Sequence, residues 1–160
     1  FTDTEGHDFF AVTDVDAKLK DLTTALTEKN LVAVLKKLFG GADTWTGSDN
    51  SDYLFGDKGN DKLVGGLGDD ELAGGGGKDI LTGNEGSDYF AIWKGAGKDK
   101  VTDFHADGGE GVQDYVQLWT EDYKIRGNDE RTIVDLGKGH KLVLLGVDRA
   151  DFSADDIWFV

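Results

Sequence analysis

The chain has 160 residues, 38% of them hydrophobic, and 32 acidic against 17 basic side chains give a formal charge of -15. That is apolar material for one compact domain or two small ones, while the charge repels nucleic acid and anionic membranes and attracts divalent cations. No apolar run is long enough to span a bilayer, and no secretory signal opens the chain.

With no Met anywhere and Phe1 at its start, the sequence is expected to be a piece of a longer protein. EGHDFFAV at residues 5–12 parallels EGSDYFAI at residues 85–92, with conservative changes at three of eight positions. Residues 1–12 are therefore expected to close an earlier β-roll block or to form a degenerate repeat that packs against this one, the plainer alternative being two acidic turns followed by aromatic strands. A capping-box-like Thr13 and Asp16 come next, and Val15, Leu19, Leu22 and Leu26 recur at helical spacing. Asn30 interrupts the stripe, Leu31, Leu35 and Leu38 resume it, Lys36 and Lys37 suit a helix C-terminus, and Gly40 and Gly41 stop it. The spacing predicts an amphipathic helix over 13–39, placed to cap the open end of a repeat array that starts just beyond it. A membrane-active helix is disfavoured by the short stripe and the mixed charge of its polar face.

From Gly47 to Ala91 five nine-residue units run end to end: GSDNSDYLF, GDKGNDKLV, GGLGDDELA, GGGGKDILT and GNEGSDYFA. Gly is first, Asp sixth and Leu or Phe eighth in each. The leading Gly47, Gly56, Gly65, Gly74 and Gly83 mark tight loops open to positive φ, and Asn50, Asp57 and Asn84 are the substitutes that best tolerate such conformations, with Ser48 a weaker fit. A carboxylate with loop carbonyls makes an oxygen-only site suited to Ca²⁺. Positions seven to nine form a short strand in which position eight faces inward. Weaker units flank the array: residues 38–46 keep Gly41, Asp43 and Trp45, and residues 94–102 carry Asp99 and Val101 after a two-residue shift at Ile92 and Trp93.

This nonapeptide closely resembles that of the repeats-in-toxin (RTX) family of bacterial proteins. The resemblance implies an all-β fold: a right-handed parallel β-roll over 38–102 with two units per turn, the N-terminal capping helix and a C-terminal β-strand cap. It also implies two carboxylate columns, Asp43, Asp61, Asp79 and Asp99 on one side and Asp52, Asp70 and Asp88 on the other. Carried over from the family, one calcium site reads Asp57, Gly59, Asp61, Gly74, Gly76 and Asp79, and its neighbour Gly66, Gly68, Asp70, Gly83, Glu85 and Asp88. The same scheme along the other loops adds Asn50, Gly56, Lys58, Gly65, Leu67, Gly75 and Gly77, for about four to six Ca²⁺ ions.

After Thr102 the loops give way to short strands at 99–104, 112–119, 131–136 and 140–147, with Gly137, Lys138 and Gly139 as a hairpin turn. The order is similar to the C-terminal region beyond the repeats in serralysin-type secreted proteases. Residues 103–160 are thus expected to be a β cap, and the ending Asp156-Ile157-Trp158-Phe159-Val160 is similar to a type I secretion signal, with a plain final strand as a compatible alternative. Absence of Cys suits a chain threaded unfolded through an export channel.

No catalytic constellation emerges. GGGGKD at residues 74–79 lacks the Ser or Thr a phosphate loop needs after its Lys. His7, His105 and His140 show no zinc or hydrolase spacing. The expected function is a noncatalytic calcium-binding module, secreted or extracellular, that folds on Ca²⁺ and supports export and folding of a larger enzyme, toxin or adhesin through the type I machinery. The alternative is a calcium-ordered module that binds a polysaccharide or surface partner. Trp93, Trp119 and Trp158 are read as core in preference to sugar platforms, and the aromatic face bearing Tyr53, Phe55 and Tyr89 is expected to be covered by the helix or the C-terminal strands.

Overall fold

The computed structural model describes residues 11–12, 40–106 and 112–160. The helix expected over 13–39 lies outside the described residues, as does the repeat ending expected over 1–12 apart from strand β1 (Ala11–Val12), whose backbone pairs antiparallel with β2 (Thr44–Thr46).

Each nonapeptide becomes a turn followed by a short strand, and successive strands alternate between two sheets. β2, β5 (Lys62–Leu67), β8 (Ile80–Glu85) and β10 (Lys98–Val101) pair in parallel in one sheet, while β3 (Tyr53–Phe55), β6 (Glu71–Ala73) and β9 (Tyr89–Ile92) do so in the other. β4 (Lys58–Gly59) and β7 (Gly76–Gly77) are loop segments that pair in a third, two-stranded sheet. A strand of three residues with its ends turned outward can bury only its middle side chain. β2 and β3 accordingly run exposed, buried, exposed.

The inward positions stack as two columns: Trp45, Leu63, Leu81 and Val101 in one sheet, and Leu54, Leu72 and Phe90 in the other. Leu63, Leu72, Leu81, Phe90 and Val101 are wholly buried. Both columns run on into the C-terminal region. Val101 lies beside Leu144 of β14 (His140–Leu145), and Phe90 beside Val116 of β11 (Tyr115–Leu118), which itself lies beside Ile157 of β15 (Ile157–Phe159). The expected β cap is therefore a direct continuation of both sheets.

β13 (Arg131–Gly137) and β14 form the expected hairpin, with Gly137, Lys138 and Gly139 at φ 76°, 53° and 90°. Beyond it the edge strand β12 (Lys124–Asn128) is one that the sequence pattern does not announce. Its KIRGN sequence has no apolar alternation, and its Lys124 and Arg126 are the kind of charge that discourages a sheet edge from recruiting another chain.

The aromatic residues depart from expectation. Trp119 and Trp158 are 46% and 53% exposed, so neither belongs to the core, while Trp93 is partly buried against it. On the outer face of the five-stranded sheet, Tyr89 is covered in part by Tyr115, stacked at 5.0 Å between centroids, and by the edge of Trp158 at 6.2 Å. Phe55 stacks on Trp93 at 6.1 Å, yet it is 43% exposed and Tyr53 is 64% exposed. Cover from the C-terminal strands thus reaches Tyr89 and leaves Tyr53 and much of Phe55 open.

Because one inward side chain per repeat carries the core, Leu72→Ala in calcium-loaded protein is expected to cost about 2–5 kcal/mol in chemical denaturation. Ile80→Ala, on an exposed position of β8, should cost under about 1 kcal/mol. Equal losses would contradict the single-column core.

Candidate metal centre

The sixth-position carboxylates stand in two columns, tied by a repeated hydrogen bond. The backbone N–H of each Asp donates to Oδ1 of the Asp one coil further on: Asp43 to Asp61 at 2.7 Å, Asp61 to Asp79 at 2.8 Å and Asp79 to Asp99 at 3.0 Å. In the second column Asp52 donates to Asp70 at 2.8 Å and Asp70 to Asp88 at 2.9 Å. The separation is 18 residues at four of these steps and 20 at the last step of the first column, where Ile92 and Trp93 are absorbed. All seven carboxylates are buried.

The second oxygens carry the chemistry. Oδ2 of Asp70, Asp79 and Asp88 is buried without a hydrogen-bond partner. An anionic oxygen withdrawn from water and given no donor is strongly unfavourable unless a cation meets it. Each of these atoms is directed at the leading glycine of its own loop, where an added Cβ would collide with it at Gly65, Gly74 and Gly83. The leading glycines are therefore not at positive φ, contrary to the sequence expectation, but provide space for the carboxylate. Positive φ instead falls at the second and fourth positions, including Asp57 at 68° and Asn84 at 72°. Ser48 and Asn50 do not take it. Ser48 Oγ accepts the Asn50 N–H and donates to Asp52 Oδ2, so side-chain bonds hold the first loop.

Loop carbonyls line the gaps between coils. The carbonyls of Asp57 and Gly59 face Gly75 and Gly77, while that of Gly74 faces back to Gly56. On the other side the carbonyls of Ser48 and Gly68 face Gly66 and Gly86, and those of Gly65 and Gly83 face back to Gly47 and Gly65. Gly66 pairs with Asn84 and Leu67 with Glu85 in the β5–β8 ladder, and Lys58 with Gly76 between β4 and β7. Positions one, two and four of one loop thus face the same positions of the loop one coil away, with an Asp from each. Among the described residues no three His, Cys, Asp or Glu side chains gather round one point, so carbonyls would have to complete any coordination. Such a hard-oxygen set fits Ca²⁺.

Two further sets of residues hold the loops, and the repeat pattern does not single them out. Fifth-position side chains form an outer ladder, Ser51 accepting from the Asp69 N–H, Asp69 from Ser87, and Asn60 from Lys78. Asp114 extends the second column, accepting the Asp88 N–H at 2.9 Å across a separation of 26 residues that breaks the nine-residue phase.

Burial, with repulsion from neighbouring carboxylates, raises Asp70 from 3.8 to about 7 and Asp88 to about 6, against the lowering effect of the N–H each accepts. Asp99 is also raised, mainly by burial. A folded-state pKa above the unfolded value stabilises the metal-free roll at low pH, and that contribution is lost as pH rises through about 6–7. Calcium requires the ionised form, so its binding should release protons and its apparent affinity should rise across the same window. Titrations at pH 5.5 and 8 are expected to show a lower calcium midpoint at pH 8, and a pH-independent midpoint would contradict this. Asp70, flanked by carboxylates on both sides, should also matter more than the terminal Asp43. Asp70→Ala is expected to shift the midpoint further than Asp43→Ala, equal shifts contradicting the two-column arrangement.

Residues 39–72 and 64–91 match the model of the RTX calcium-binding nonapeptide repeat family, in four copies. The fold is similar to the solution structure of the AlgE6R3 subunit of the Azotobacter vinelandii mannuronan C5-epimerase, with 25% identity, a TM-score of 0.59, and coverage of 74% of this chain and 78% of that one. It is also similar in fold to the extracellular lipase LipA from Serratia marcescens, with 23% identity and a TM-score of 0.55, covering 73% of this chain and 21% of the lipase. Comparison with curated proteins gives no match. With the repeat phase, the stacked parallel strands and the buried carboxylate columns all in agreement, residues 39–91 are RTX calcium-binding nonapeptide repeats folded as a β-roll.

Proposed function

We propose that this chain is a noncatalytic module that folds when Ca²⁺ fills the gaps between its loops outside the cell, and so supports secretion and folding of a larger exported protein. The observation that carries this reading is the set of buried, unpartnered Oδ2 atoms on Asp70, Asp79 and Asp88. In it, Asp61 and Asp79 with the carbonyls of Asp57, Gly59, Gly74 and Gly76 hold one ion, and Asp70 and Asp88 with those of Gly66, Gly68, Gly83 and Glu85 hold another. Bound calcium supplies the positive charge that the paired carboxylates lack, so binding free energy becomes folding free energy. Export by a type I system would deliver the chain unfolded from low to high calcium, and the Asp156 to Val160 ending is the proposed signal.

Circular dichroism tests the switch: a mostly unordered chain in chelator and a β-rich one in millimolar Ca²⁺, with Mg²⁺ a poor substitute because it demands a smaller octahedral cage. A fully folded chain in chelator would contradict it. Deleting residues 151–160 is expected to abolish export from a type I-competent cell, and unchanged export would reject the signal.

A second reading is favoured by the open aromatic face. Tyr53, Phe55, Trp119 and Trp158 expose large ring surfaces, the kind of apolar surface that marks interaction sites, and stacked rings are suited to sugar faces. In this reading the calcium-ordered roll presents them to a polysaccharide. Affinity electrophoresis in alginate and in a neutral glucan, with calcium present, should then show retardation that Trp158→Ala relieves. Unretarded migration in both would reject it.

A further inference from the structure

The two carboxylate columns end differently. Asp114 receives the Asp88 N–H through Oδ1 as its counterparts do, but its Oδ2 takes the backbone N–H of His105 at 2.8 Å and lies 3.3 Å from His105 Nδ1. The corresponding atoms of Asp70, Asp79 and Asp88 have no such donor, and only at the opposite end of the column does Asp52 Oδ2 likewise take protein donors, the N–H and Oγ of Ser48. Nor is Asp103 like a leading glycine, although it comes directly after the last repeat unit at Thr102. Its two oxygens take the N–H groups of Gly83 at 3.0 Å and Asn84 at 2.9 Å, where the N–H groups of Gly47 and Gly56 go to the strand carbonyls of Val64 and Ala73. All four carboxylate oxygens of Asp103 and Asp114 are thus engaged by protein donors. N–H groups aimed at a carboxylate satisfy it as a cation would, and their partial positive charge disfavours a metal beside them.

We propose that the step between Asp88 and Asp114 takes no calcium and is closed by the protein itself, with His105 standing where the ion stands in the repeats and Asp103 holding the loop below. The inference rests on the calcium reading of the other steps. Column two then ends in a junction between β9 and β11 that forms without metal. It leaves the C-terminal strands a ready template for the last coil when calcium is scarce.

Native mass spectrometry of the full chain in saturating Ca²⁺, with circular dichroism to confirm folding, separates the possibilities. Asp114→Asn keeps an acceptor for the Asp88 N–H. It is expected to hold as many ions as the unaltered chain with a calcium midpoint within about twofold, whereas Asp70→Asn should lose at least one ion. A folded Asp114→Asn that loses an ion would overturn the proposal. Should Asp114→Asn not fold, Asp103→Asn answers the same question: an unchanged ion count supports the protein-made closure and a lost ion refutes it. An unaltered chain that binds no ions would instead sink the calcium reading, and this inference with it.

Discussion

A buried carboxylate with one oxygen satisfied and the other bare is the constraint on which this structure turns. The N–H of each sixth-position Asp fixes Oδ1 of the Asp a coil away, and this sets the stacking distance and direction of both columns. It also leaves Oδ2 of Asp70, Asp79 and Asp88 facing inward without a donor. Two ionised groups so placed repel each other and lose their hydration. The roll therefore needs either protons or cations between its loops, and at neutral pH a divalent ion held by hard oxygens meets that need better than protons do.

The rest of the architecture comes from keeping those gaps open and regular. The leading glycines remain because a Cβ would collide with the carboxylate. Beyond the first loop, the second and fourth positions turn through positive φ, and loop carbonyls face the next coil. Strands so short bury one large inward side chain per repeat, giving two thin columns of Trp, Leu, Phe and Val that supply less than a conventional core would. Both columns gain by running on into β14, β11 and β15, where the Phe104 and Phe152 rings, 5.8 Å apart, thicken the interior.

Strict periodicity made the centre legible. Gly, Asp and Leu in a nine-residue phase define the strands, the inward positions and the carboxylate columns through Asp99, because each unit repeats the same local solution. Legibility fell where local pattern ceased to determine environment. Trp119 and Trp158 look like core residues in one dimension, but Trp158 lies on β15 at the edge of the five-stranded sheet and Trp119 just past the end of the neighbouring β11, and both are exposed. Asp114 joins its column across 26 residues, a separation no repeat count reveals. At the leading glycines Gly65, Gly74 and Gly83 the requirement is space beside a carboxylate and not positive φ, a tertiary contact invisible to backbone propensity. β12 escaped notice because its polar sequence is that of an edge.

The most direct measurement is a crystal structure of the calcium-loaded chain with anomalous data to locate the ions. A row of ions is predicted in each column, with the Asp61, Asp79, Asp70 and Asp88 carboxylates about 2.3–2.6 Å from them and loop carbonyls completing six to eight oxygens. Asp oxygens that stay bare or take up protein donors in saturating calcium, with ions only on the outer surface, would contradict it.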